Sequence, residues 1–346
     1  MPLRISVCPF RLLFKHPFGT AHGLRDGTDA LFIRVEDEGA VGFGEIALPP
    51  YVRESVLDAR ARLRQIAAFR SWTLDDLLLQ IDELESLKGA PATRAGLHCA
   101  LLDASARRSG KTVAQVLACS VKESPSVLMT IGICDPDLVL QRMAELPATG
   151  AIKLKVGDSL AFKRISIVVE STDARILLDG NQGFSSIDEA ENLVALVPPI
   201  RLIGLEQPFN PAHDDWNQKL TKRTGVQVFA DESLQDLGDL VRVSGFFNGI
   251  NIKLMKCGGL DKARALVVQA KQLNMRVMLG CMSESSLGCT AMAQLTGEAA
   301  VIDLDGPWLL RNDPWLGITV DKGTMILPEG PGLGVRSEIE LDYSDA

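Results

Sequence analysis

Four histidines in 346 residues, none at the spacing of a ligand pair or a catalytic triad, leave little room for imidazole chemistry. A GxSxG nucleophile elbow and a P-loop are also absent. The seven cysteines are an odd number without a CxxC pair, which removes the metal-finger spacings and argues against a disulfide frame. Cys8, Cys99, Cys119, Cys134, Cys257, Cys281 and Cys289 lie mostly among apolar neighbours and read as reduced, buried thiols. No apolar run approaches the length of a membrane span. The N-terminal MPLRISVCPF alternates like a strand and lacks the long apolar region of a signal peptide, so a cytoplasmic protein is expected. Clustered positive charge is missing as well: the net charge is −8, and the densest basic group, Arg60, Arg62 and Arg64, reads as a solvated helix face. Neither a nucleic-acid nor a membrane partner is expected. Homo-oligomerisation is left open.

What is present is an ordinary globular composition, 46% hydrophobic and 23% charged. The length fits two domains, or one large α/β barrel with an addition, and can bury a core without disulfides or structural metals. Residues 3–14 and 30–36 read as strands, and the turn Asp37-Glu38-Gly39 leads to a third at Val41-Gly42-Phe43-Gly44. Helical periodicity follows over 55–69, 74–86 and 92–108, giving an α+β unit over 1–120. From about 126 short apolar runs recur at 127–133, 150–156, 175–179, 201–206, 226–231, 249–254, 276–280 and 300–304, with helical segments between almost all of them. Eight strands alternating with helices predict a parallel barrel over 121–312. The rival, a doubly wound sheet, would usually carry a glycine-rich phosphate loop after its first strand. Residues 313–346 are expected to return to the N-terminal unit through short strands and glycine turns.

Barrel enzymes gather their chemistry at the carboxyl ends of the strands. Here six of the eight ends are charged: Lys153 and Lys155, Asp179, Glu206, Asp231, Lys253, and Asp303 with Asp305. A charge at a barrel mouth must be desolvated, which is costly unless it is paired or binds a metal. Asp179, Glu206 and Asp231 come from consecutive strands and form a hard oxygen set suited to Mg²⁺ or Mn²⁺; the alternative is three unrelated helix caps. Lys153 and Lys155 share one strand face. Lys155 and Lys253 lie across the barrel from each other, able to face a substrate carbon from both sides, and near a metal ion and other cations a lysine's pKa should fall, which lets it act as a base. Asp303 and Asp305, alternate along one strand, would hold a cation such as an ammonium group; a second metal, or pairing with Arg311, is the alternative. Lys256 reads as an ordinary residue after its strand.

The motifs AIKLKV, LLDGNQGF, LEQPF, FADES and INIKLMKCGG, in this order, resemble the enolase superfamily, in particular its muconate-lactonizing branch. The likeness covers nearly the whole chain and implies a (β/α)7β modified TIM barrel with an N-terminal α+β capping domain. VIDLDG, TIGI at 130–133 and MLGCMSESS resemble the dipeptide epimerases of that branch. The resemblance implies Mg²⁺ on Asp179, Glu206 and Asp231, an ene-diolate formed by loss of the α-proton of the C-terminal residue of an Ala-Glu-like or hydrophobic dipeptide, and Lys155 and Lys253 as its two bases. It also implies Asp303 and Asp305 on the substrate ammonium, Lys153 and Thr130 beside the substrate, and Asn181 and Glu232 behind the ligands. Cap loops near 16–26 and 48–54, with His16, His22, Arg25, Tyr51 and Arg53, are expected to choose the side chains. Epimerases of Ala-Glu dipeptides tend to carry an arginine five residues past the phenylalanine; from Phe18 that position is Gly23, and the nearest arginine is Arg25. N-succinylamino-acid racemase, o-succinylbenzoate synthase and muconate cycloisomerase share the lysines and ligands, so the resemblance alone leaves them as alternatives.

Overall fold

The computed structural model describes residues 3–21, 23–69 and 71–346; His22 lies outside them. Strands β1 (Arg4–Thr20), β2 (Gly23–Asp37) and β3 (Ala40–Leu48) form the antiparallel meander, and Ser344–Asp345 adds to the free edge of β1. The register of β1 with β2 shifts between Leu13 and Phe18, after which Phe18 pairs with Arg25 and Thr20 with Gly23. The expected loop near 16–26 is therefore largely a hairpin arm, because its aromatic and β-branched residues continue the ladder past the irregularity.

Helix α1 (Val56–Ala67) starts at a reciprocal capping box between Ser55 and Asp58. Helices α2 (Leu74–Gln80) and α3 (Pro91–Arg108) follow, the latter with Pro91 in its first turn and Glu54 accepting from Ala92 N and Thr93 N. α3 lies so close to β3 that a Cβ at Gly44 would stand 2.0 Å from Gly96 O. Glycine at that position is what lets helix and sheet meet. The arginines of α1 are not merely solvated: Arg60 reaches Ser344 Oγ at 3.0 Å and Arg62 reaches Ser86 O.

The barrel strands are β4 (Met129–Ile131), β5 (Ala151–Lys155), β6 (Arg175–Asp179), β7 (Leu202–Glu206), β8 (Val228–Ala230), β9 (Gly249–Lys253), β10 (Arg276–Gly280) and β11 (Val301–Asp303). They form one parallel sheet in chain order, closed by Leu128 N donating to Ile302 O at 2.8 Å. The register of β6 with β7 slips by one residue between Ile176 and Leu177. Extended from Ile176–Leu202 without that slip, the ladder would set Asp179 against Leu205; with it Asp179 pairs with Glu206, so two carboxylates share the interior.

A charged cluster ties the cap to the barrel: buried Arg94 of α3 bonds the more exposed Asp82 and Asp261, beside buried His98. The C-terminal segment returns to the cap, where buried Asp103 accepts from both Phe43 N and Leu333 N. Among the described residues no helix is long and apolar enough to cross a membrane.

Candidate active site

The strand-end charges converge on one cavity of about 740 Å³ between barrel mouth and cap. Thr130, Lys153, Lys155, Asn181, Asp231, Glu232, Lys253, Asp303 and Asp305 line it from the barrel, and Arg25 and Tyr51 from the cap. Asp179 and Glu206 lie beneath this surface, fully buried. Around the closed sheet β5 and β9 are separated by three strands in either direction, which sets Lys155 and Lys253 on opposite walls.

Asp179, Glu206, Asp231 and Asp303 each have a lysine partner. Lys153 Nζ stands 2.6 Å from Asp303, 2.7 Å from Glu206 and 3.0 Å from Asp179. Lys155 Nζ meets Asp179 at 2.6 Å, and Lys253 Nζ meets Asp231 at 2.7 Å. Burial works to raise the Asp179 carboxyl, yet Lys155 and Lys153 outweigh it and bring it down to about 2. Glu206 goes the other way: burial, together with Asp179 and Asp231, pushes it up to about 8. Burial likewise lifts Asp305 to about 6, with Asp303 adding to it.

At Lys253 the neighbouring carboxylates oppose the lowering expected beside a metal ion and other cations. Burial pulls it down, but Asp231 and Glu206 hold it well above its ordinary value. The carboxylates that keep its proton are the same groups the sequence assigns to a cation. Their chemistry fits a hard divalent ion: all donors are oxygens, they come from the ends of three adjacent strands, and the one partner of buried Glu206 Oε2 among the described residues is the Lys153 ammonium at 2.7 Å. Their oxygens are turned to lysines rather than gathered on one point, so holding an ion means exchanging ammonium partners for it.

Asp305 differs from its expected place on the strand. β11 ends at Asp303, and Gly306–Leu309 begins a helical turn for which Asp305 is the cap residue, with φ −93° and ψ 8°. Its carboxylate still turns inward, accepting from Thr130 N at 2.6 Å, while Asp303 pairs with Lys153 and not with Arg311. Asn181 donates to Glu232 at 3.3 Å, and its backbone N–H to Asp179 at 3.0 Å.

Sequence reasoning missed two residues. Lys256 is buried, not an ordinary post-strand group: its Nζ reaches Asp231 Oδ1 and Asp231 O, both at 2.6 Å, and Asn251 O. Asn251, two positions before Lys253 on the same inward face, donates to Glu206 Oε1 at 2.9 Å. The alternation of β9 would have revealed Asn251; the one-turn helix Leu254–Cys257 that swings Lys256 inward leaves no such signal.

On the cap side Arg25 lies over the rings of Phe14 and Tyr51, 5.4 and 5.5 Å from their centroids, and donates to Thr28 Oγ1. Arg53 lines the same wall. Among the described residues neither arginine has a carboxylate partner, whereas Glu54 is used on the first turn of α3. His16 lies apart, against Glu145.

Residues 139–340 match the family described as Enolase C-terminal domain-like. Over 337 residues the chain is 33% identical to the L-Ala-D/L-Glu epimerase of Bacteroides thetaiotaomicron, spanning 96% of this chain and 88% of that one. The dipeptide epimerase of Methylococcus capsulatus, solved with Mg and the dipeptide L-Arg-D-Lys, aligns at TM-score 0.88 and 28% identity over 97% of this chain and 99% of that one. The L-Ala-D/L-Glu epimerase of Bacillus subtilis, solved with substrate, aligns at TM-score 0.86 and 26% identity over 97% and 99%. With this match running from the first barrel helix into the C-terminal return, the chain belongs to the Enolase C-terminal domain-like family.

Proposed function

We propose that the protein is a dipeptide epimerase, inverting the α-carbon of the C-terminal residue of a dipeptide by removing a proton from one face and returning it to the other. The observation that carries this reading is the placement of Lys155 and Lys253 on opposite walls of one cavity. Inversion needs a base on the face the proton leaves and a donor on the other, and two buried lysines across a barrel provide them, one neutral and one protonated at the start of each turnover.

In this mechanism Lys155 Nζ takes the α-proton of one epimer and Lys253 Nζ delivers a proton to the other face; the roles exchange for the reverse direction. Lys253 becomes a base once Asp231 and Glu206 are engaged elsewhere. Asp179, Glu206 and Asp231 would hold Mg²⁺, or Mn²⁺ through the same hard-oxygen donors, and the ion would supply positive charge to the substrate carboxylate into which the α-carbon's electron pair delocalises. Lys153 adds positive charge at that end. Asp303 and Asp305 fix the substrate ammonium, and Lys256 and Asn251 hold Asp231 and Glu206 in place. Closure by the cap excludes water that would otherwise compete for the transferred proton.

Arg25 and Arg53, which have no carboxylate partner among the described residues, favour an acidic substrate side chain, as in an Ala-Glu dipeptide. Phe18 and Arg25 pair across the hairpin, so an arginine seven residues past the phenylalanine still faces the cavity. Seven free thiols fit a reducing compartment such as the cytoplasm. The deciding experiment compares free L-Ala-L-Glu, free L-Ala-L-Val and N-acetyl-L-Glu by chiral chromatography with Mg²⁺ present. The free acidic dipeptide should react fastest. Faster turnover of the acylated amino acid would replace this reading with an N-acylamino-acid racemase, for which the Asp303–Asp305 pair has no ammonium to hold.

A further inference from the structure

Beside the proposed catalytic groups lies a second cluster that the epimerase mechanism does not use. Cys281 follows β10, Glu284 comes three residues later, and Cys289 sits in the first turns of the helix Ser286–Ala293. One ligand atom from each of the three lies within 4.8 Å of the others, and among the described residues no other trio of His, Cys, Asp or Glu is gathered so closely. We propose that Cys281, Glu284 and Cys289 form a binding site for a thiophilic divalent cation of the Zn²⁺ or Cd²⁺ class in the wall of the substrate cavity.

The geometry supports this in three ways. Tetrahedral zinc with bonds of about 2.3 Å to sulfur spaces its ligands by roughly 3.8 Å, so the cluster needs only a small contraction. The carboxylate is held, because Glu284 Oε2 takes the N–H of Met282. Entry is open, since Cys281 lines the cavity while Glu284 and Cys289 lie buried behind it, leaving a fourth position toward the cavity. Two sulfurs and one carboxylate select a softer ion than the all-oxygen set of Asp179, Glu206 and Asp231. Binding would release the thiol protons. Resting on the epimerase reading, a cation here would also stand near Asp303 and Asp305 and oppose the substrate ammonium, raising KM for free dipeptides.

The test is a Cd²⁺ titration of the intact chain in excess Mg²⁺, following the ultraviolet cadmium–thiolate absorption, which oxygen ligands do not produce. Wild type should bind one thiolate-ligated Cd²⁺ per chain, and Cys281→Ser, Cys289→Ser and Cys289→Ala should each weaken it at least tenfold. Circular dichroism of both Cys289 variants, and their activity without added Cd²⁺, should match wild type and so separate loss of the site from loss of fold. Unchanged titration in either folded Cys289 variant, or no thiolate absorption in wild type, overturns the proposal. Because the absorption is read without substrate, failure of the epimerase reading leaves it standing, and its failure leaves that reading standing.

Discussion

The interior of the barrel is built in two layers from the same strands, equally buried and opposite in chemistry. The lower layer is Leu128, Ala151, Leu177, Ile203, Phe229, Met278 and Val301, apolar throughout. Two residues further along the same inward faces stand Lys153, Asp179, Asp231 and Asp303, all nearly inaccessible to solvent. Burial alone therefore says nothing about role. In the lower layer it removes apolar surface from water and stabilises the fold. In the upper layer it desolvates charge, which opposes folding unless each group finds a partner. The lysine–carboxylate pairs meet that requirement, and on the proposed mechanism the same lysines would move the proton.

The comparison can be broken most sharply from the upper side. Exhaustive chelation should abolish epimerase activity, a loss of several kcal/mol of transition-state stabilisation and so on the order of a thousand-fold or more in rate. Far-ultraviolet circular dichroism should be unchanged, and added Mg²⁺ should restore the rate. Full activity after chelation would remove the metal assignment.

The lower layer predicts the converse. The ring of Phe229 fills the space left by Gly204 and Gly249, where a Cβ would stand 2.7 and 2.6 Å from it. Phe229→Ala should cost about 3–5 kcal/mol of stability, read from urea denaturation. Mg²⁺-dependent kcat per folded molecule should change far less. A variant with wild-type stability and no activity would put Phe229 in the wrong layer.

How much of this was legible beforehand follows from the same contrast. The apolar runs and the charges that end them are local, so the barrel, its strand order and the convergence of Lys153, Lys155, Asp179, Glu206, Asp231, Lys253 and Asp303 could be read from alternation alone. Features that depend on departures from regular geometry could not. The slip beside Ile203, the turn that takes Asp305 off its strand, the inward swing of Lys256 and the continuation of β1 and β2 as an arm each depend on a local irregularity that alternation does not encode. Cys281 and Cys289 read as inert because their meeting depends on how a strand end packs on the following helix.

A smaller effect belongs to the junction that holds the cap over these layers. Burial lowers the His98 imidazole to about 4, below the usual histidine range. Because its folded pKa is depressed, its contribution to stability is complete above about pH 6.5 and is lost as pH falls from there toward the folded value. Stability should drop by about 2 kcal/mol between pH 7 and pH 5, and His98→Gln should flatten that slope. An identical slope in the variant would assign the pH dependence to other groups.

The central claim is that Lys155 and Lys253 serve opposite faces of one carbon, and deuterium exchange in single-lysine variants tests it directly. In D₂O with Mg²⁺, Lys155→Ala and Lys253→Ala should each lose epimerisation in both directions. Each should still exchange the α-hydrogen of one epimer without inversion, Lys253→Ala acting on the L form and Lys155→Ala on the D form. Near wild-type epimerisation by either variant, or exchange of the same epimer by both, would contradict the account.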